Sequence, residues 1–188
     1  MKVFDAIDDR MRAFIEAQPV FFVATAPSGD GGHVNVSPKG GKGMFGVTGP
    51  LGFAYVDMLG SGSETIAHLR DNGRICVMFC AFDGPPRILR LHGEGEYVRP
   101  DHPRFEELRA LGFAEPEIAE SMRSFILVNV TRIADSCGYG VPLMSYEGER
   151  PHMDLSTAKR IRVEGEGAMR VYEREHNWES IDGLPALS

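Results

Sequence analysis

Lysine is scarce in this chain: among 20 basic residues only Lys2, Lys39, Lys42 and Lys159 are lysines. Two of them share one stretch, Asn35-Val36-Ser37-Pro38-Lys39-Gly40-Gly41-Lys42-Gly43. A glycine-rich loop lets a ligand reach the backbone, and a lysine offers it a point charge suited to a phosphate or an electron-rich ring. The same residues also describe a flexible hairpin carrying two solvated lysines. A second stretch, Asp57-Met58-Leu59-Gly60-Ser61-Gly62-Ser63-Glu64-Thr65, opens a predicted helix. Ser61 and Glu64 match the S-x-x-E capping box. Ser61, Ser63 and Thr65, with the free N–H groups of a helix start, equally make an anion site that the helix dipole favours. Glu64 would compete with such an anion for the same donors. Arg87 and Arg90 follow a double proline; at i and i+3 of a strand they face opposite sides, so at most one serves a given site.

Other chemistries find little footing. His33, His68, His92, His102, His152 and His176 show no metal-ligand spacing, so no metal site is expected. There is no G-x-S-x-G elbow and no H-E-x-x-H pair. Three cysteines without a C-x-x-C pair give no disulfide framework. Cys76 and Cys80 fall in the apolar run RICVMFCAF and read as core residues. Cys137, in the turn-like SCGYG, is the thiol open to reaction, with no activating base or cation beside it in sequence.

These residues need a scaffold, and the patterning supplies one. Apolar residues at helical spacing predict an N-terminal helix over residues 3–17, ended by Pro19. Short β-like runs follow at 20–26, 33–37, 43–48 and 51–56, separated by Gly- or Pro-containing turns. A helix over 61–71 stops at Asn72-Gly73. Strands at 74–82 and 87–98, helices at 101–111 and 116–122, and a strand at 124–135 come next, then a charged helical extension over about 154–178. Strands at short intervals with few helices point to a small antiparallel β-barrel with helical additions, not to alternating βαβ units.

The length of 188 residues and 43% apolar content suit one domain over 1–188, able to bury about 70% of its unfolded surface. A formal charge of -7 argues against nucleic acid as a partner. No run approaches the ~18–20 apolar residues of a membrane helix. Acids interrupt the N-terminal MKVFDAIDDRMRAF, which therefore does not read as a signal peptide. The expectation is a soluble cytoplasmic domain with no membrane partner.

Taken in order, FFVATA, HVNVSPKG, GSGSETIAHLRDNGRICVMF and RILRLHGEGEYV resemble the pyridoxamine 5'-phosphate oxidase family over roughly residues 15–150. The resemblance implies an α+β fold, a six-stranded antiparallel split β-barrel with flanking helices. It implies FMN at a homodimer interface, with a small-molecule substrate and NAD(P)H as a possible donor. Asn35, Val36, Ser37 and Lys39 become flavin contacts, Ser61, Ser63 and Thr65 phosphate contacts, and Arg87 a third-strand contact. His33 and Tyr139 fall near the flavin edge, although a structural role suits each. In the true oxidases the helix opens with Ser-Arg-Lys, which grips the phosphate; here the matching stretch is Ser63-Glu64-Thr65. Either hydroxyls, N–H groups and an arginine elsewhere hold the phosphate, or the cofactor is a deazaflavin or haem, with His176 the candidate ligand for the latter. Tyr146 and Arg150, in Tyr146-Glu147-Gly148-Glu149-Arg150-Pro151-His152, keep an aromatic and an Arg-x-His at shortened spacing. The implied function is a divergent FMN-binding oxidoreductase, or a non-catalytic flavin-binding module on the same barrel.

Overall fold

The strand-forming runs zip into one antiparallel sheet. The computed structural model describes residues 1–188. It begins with β1 (Lys2–Phe4), α1 (Asp9–Glu16), β2 (Val20–Thr25), β3 (Asn35–Gly40), β4 (Phe45–Gly49) and β5 (Gly52–Met58). Next come α2 (Glu64–Asn72), β6 (Arg74–Cys80), β7 (Ile88–Val98), α3 (Phe105–Arg109), a 3-10 turn (Ala119–Ser121) and β8 (Met122–Ser136). Two helices, α4 (His152–Glu164) and α5 (Ala168–His176), complete the order. The strands lie as β3-β2-β6-β7-β8-β5-β4, with β1 on β8. Every pairing is antiparallel.

The sheet curls until its two ends face each other across the core. Phe21 on β2 lies 4.7 Å from Phe45 on β4 and 5.4 Å from Tyr55 on β5, although those strands stand far apart in the ladder order. Phe53 and Phe79 complete this aromatic cluster. Each such ring contributes about 2–3 kcal/mol by leaving water. β3 and β4 share no ladder, and that seam is the split of an α+β split barrel. The close approach of β8 to β7 is possible only because residue 93 is glycine: a Cβ there would sit 2.2 Å from the Asn129 carbonyl oxygen.

The sheet has eight strands, not the six implied by resemblance. The predicted helix over 3–17 divides: Val3 pairs with Ala134 in β1–β8, and the helix starts only after Asp8, whose carboxylate accepts from the Met11 N–H at 2.7 Å. Val3 happens to fall in phase with Ile7 and Met11, which is why the periodicity misleads. Of the helices predicted over 101–111 and 116–122, only five residues of α3 and a 3-10 turn form. The C-terminal extension is two helices, interrupted at Gly165-Glu166-Gly167. The stop at Asn72-Gly73 is realised as read, with Gly73 at φ 71 and its N–H on the Leu69 carbonyl. No helix is long and apolar enough to cross a membrane.

Candidate functional site

Two polar clusters meet around the start of α2. One is charged and bridges the seam. Lys39 reaches from β3 to β5, its Nζ 2.8 Å from Asp57 Oδ1. The other carboxylate oxygen of Asp57 takes Arg123 Nε of β8 at 2.7 Å. Arg123 Nη1 also donates to the Gly62 carbonyl at 2.7 Å, tying β8 to the loop that opens α2. Asp57 is fully buried and Arg123 nearly so. Burial alone would raise the Asp57 carboxyl, but the Lys39 and Arg123 charges and their hydrogen bonds outweigh it and hold the group at about 2. Two cations share one carboxylate, so the cluster carries a buried surplus of one positive charge. Beside it, the Tyr55 hydroxyl and Ser124 Oγ are buried without a hydrogen-bond partner. Burial, with the Asp57 charge behind it, pushes the Tyr55 hydroxyl well above its ordinary value, so it stays a donor.

The second cluster is formally neutral. Asn35 Nδ2 donates to Thr25 Oγ1 (3.2 Å) and to Thr65 Oγ1 (3.1 Å). Ser37 Oγ donates to Asn35 Oδ1 at 2.9 Å, and Thr25 Oγ1 lies 2.9 Å from His68 Nδ1. His68 is fully buried, and its Nε2 has no partner. Desolvation lowers its pKa, against the opposing pull of Asp182, Glu64 and Asp71.

The sequence-predicted residues therefore separate into groups. Asn35, Ser37 and Thr65 join in one network, while Val36, on the opposite face of the edge strand β3, is exposed. Ser63 occupies the N-cap of α2 but does not cap it: its hydroxyl donates to the Glu179 carbonyl at 3.2 Å. Glu64 Oε1 accepts from the Ile181 N–H at 3.3 Å, so the capping-box reading of Ser61 and Glu64 is not realised. Both bonds arise because the tail after α5 folds back over the helix start, where Asn177 donates to the Gly60 carbonyl at 2.9 Å. Ser61 remains exposed at that start. Lys39 and Arg150 line one cleft of about 590 Å³, and Tyr146 an adjoining one of about 580 Å³. Pro19, Val20, Lys42 and Glu149 belong to both clefts.

Arg87 stands apart, lining neither cleft; it pairs with Asp135 at 2.7 Å and lies over the Phe14 ring at 4.7 Å. His33 is held by Asp182 at 2.6 Å, Tyr139 and Cys137 are exposed, and His176 packs at a tilt against the Tyr172 ring. Cys80 is buried and Cys76 half-buried, with burial raising both thiols. The residues missed from sequence are Arg123, Asp57, Tyr55, Thr25 and His68. One signal was available: a carboxylate closing the apolar run LGFAYVD must find a cation once that run is buried.

Known proteins resemble this chain in sequence and in fold. A family model described as pyridoxamine 5'-phosphate oxidase matches residues 7–137. The pyridoxamine 5'-phosphate oxidase family protein ustO of Aspergillus flavus is 38% identical over 197 residues, covering 98% of this chain and 77% of that protein. HupZ of Group A Streptococcus superposes with a TM-score of 0.53 at 21% identity, over 70% of this chain and 94% of that one. The conserved hypothetical protein Rv2991 of Mycobacterium tuberculosis gives 0.50 at 18% identity, over 79% and 99%. The two structural likenesses establish the split-barrel fold. With a family model spanning the barrel and 38% identity along nearly the whole chain, the chain belongs to the pyridoxamine 5'-phosphate oxidase family.

Proposed function

We propose that the chain binds FMN at the seam and serves as an oxidoreductase for a small-molecule substrate, with a nicotinamide nucleotide as donor. The observation that supports this most is the buried surplus of positive charge where Lys39 and Arg123 share Asp57 beside the α2 start. The donor set fits a phosphate-bearing flavin. The exposed Ser61 hydroxyl and the surplus charge that Arg123 brings behind the α2 start suit the phosphate, with Ser63 and Thr65 next to them under the C-terminal tail. Arg123 thereby answers the loss of the Arg-Lys pair. Asn35, Ser37 and Lys39 are the candidates to face the ring. Bound FMN would supply hydride or electron transfer; the chain would supply orientation, hydrogen bonds and exclusion of water. Asp57 fixes the Lys39 ammonium in place, and the Asn35 network fixes the β3 backbone against α2.

A second copy of the chain is the proposed partner. Tyr139, Leu143, Met144 and Tyr146 lie close in sequence at 59–83% exposure, and Met144 and Tyr146 line one of the clefts, the kind of exposed apolar stretch that marks a contact surface.

Titration of the purified protein with FMN and with riboflavin tests the site. FMN is expected to bind about tenfold or more tightly, since a single charge-assisted hydrogen bond is worth ~1.5–3 kcal/mol. Equal affinity would show that the phosphate assignment is wrong. Anaerobic NADH or NADPH should bleach the bound flavin; bleaching by neither would favour a flavin store or sensor. Sedimentation at micromolar concentration should show a dimer that Leu143→Glu/Tyr146→Glu splits. A wild-type monomer would overturn the dimer.

A further inference from the structure

A third cavity, of about 650 Å³, lies between α5 with its following tail and the ends of β7 and β8. It lines none of the sequence-predicted site residues. Its floor is apolar, with Leu59 and Met169 buried in it. Trp178, the only tryptophan of the chain, forms a wall and is 46% exposed. Four arginines also line it. Arg123 is held by Asp57, and Arg99 by Glu173, with Asp101 3.9 Å away. Arg170 and Arg174 sit one helical turn apart on α5, and neither has a carboxylate within ion-pair distance. In a chain of net charge -7, acids outnumber bases 27 to 20, and two adjacent unpaired arginines over an apolar floor run against that excess. Glu120 is the one lining carboxylate left without a cation, so it does not cancel both.

We propose that this cavity is a second ligand site, which takes a flat aromatic anion: one or two fused rings bearing a carboxylate or phosphate. The indole face suits an arene by offset stacking, and the thioether of Met169 suits its edge. A guanidinium offers the bidentate fork that a carboxylate or phosphate matches. The volume falls in the range of small-molecule sites. The proposed ligand contacts here, Trp178, Met169, Arg170 and Arg174, are all outside the flavin reading; Arg123 lines the cavity as well, but its Nε and Nη1 stay on Asp57 and Gly62 and it makes no contact to this ligand.

The lone tryptophan makes the cavity readable in the intact protein. The probe is 4-nitrobenzoate, a flat aromatic quencher, with 4-nitrobenzyl alcohol as its uncharged counterpart. Saturable quenching of Trp178 is expected from the carboxylate at about tenfold lower concentration than from the alcohol. Arg170→Glu/Arg174→Glu changes two exposed side chains outside every ion pair, so the fold is retained. It should weaken 4-nitrobenzoate about tenfold or more and leave the alcohol unchanged. Equilibrium dialysis of 4-nitrobenzoate should give the same affinity with and without saturating FMN. Equal, unsaturable quenching by both probes would overturn the proposal, as would wild-type affinity in the double variant. Displacement by FMN would show that the cavity is the flavin site itself. Failure of FMN to bind in its own titration bears on the flavin reading alone.

Discussion

The two polar clusters beside α2 hold β3 in place by opposite means. Lys39–Asp57–Arg123 uses full charges in a dry place, and its members come from β3, β5 and β8. Thr25–Asn35–Ser37–Thr65–His68 uses dipoles only, and its members come from β2, β3 and α2. A buried ion is costly to desolvate, so each charge in the first cluster depends on the others, whereas a neutral network degrades one bond at a time. The charged cluster therefore fixes geometry sharply and leaves a positive surplus for an anion. The neutral one keeps β3 in register without adding charge near a ligand's ring.

Removing one partner from the charged cluster is the most severe way to break this contrast. Arg123→Met leaves Asp57 buried beside Lys39 alone and the Gly62 carbonyl unbonded, and should cost about 3–5 kcal/mol. For a chain of 188 residues that lowers Tm by roughly 6–20 °C. Lys39→Met should cost less, because the Lys39 side chain is 21% exposed and Asp57 keeps its arginine. Chemical denaturation of both variants checks the order; a Lys39 variant less stable than the Arg123 variant would refute it. The pH limb follows from the Asp57 value of about 2. Because the folded carboxyl lies below its unfolded counterpart, the stabilisation is complete above the unfolded value near 4. It is lost as pH falls through about 2.

What the sequence shows of this site divides along the same line. Lys39 and the Ser61–Thr65 stretch are legible because glycines, hydroxyls and a rare lysine cluster locally. The helix stop at Gly73 is legible for the same reason. Arg123 is not, because its partner Asp57 lies 66 positions away and its own neighbourhood reads as the end of a helix. Thr25 and His68, 43 positions apart, look like an ordinary strand threonine and helix histidine until the fold buries them together. The tail that covers the α2 start is equally invisible: its bonds to Gly60, Ser63 and Glu64 span 116 or 117 positions, and most use backbone groups that carry no sequence signature.

The neutral cluster offers the gentler test. Desolvation lowers the His68 pKa despite the nearby carboxylates of Asp182, Glu64 and Asp71, so the folded protein keeps the ring neutral where the unfolded chain takes a proton. Stability should then be full above the unfolded value near 6.5 and decline as pH falls below it. His92 contributes in the same direction, since burial, then Arg132 and Arg90, lower its pKa as well. His68→Leu removes the first contribution and leaves the second. Denaturation midpoints from pH 8 to 5 should therefore fall less steeply in the variant than in the wild type, without becoming flat. Identical slopes would mean that His68 takes a proton in the fold as readily as in the unfolded chain, giving the second cluster a charge at low pH. The contrast between a charged and a neutral anchor of β3 would then collapse, and the Asn35–Thr65 side would compete with Arg123 for the same anion.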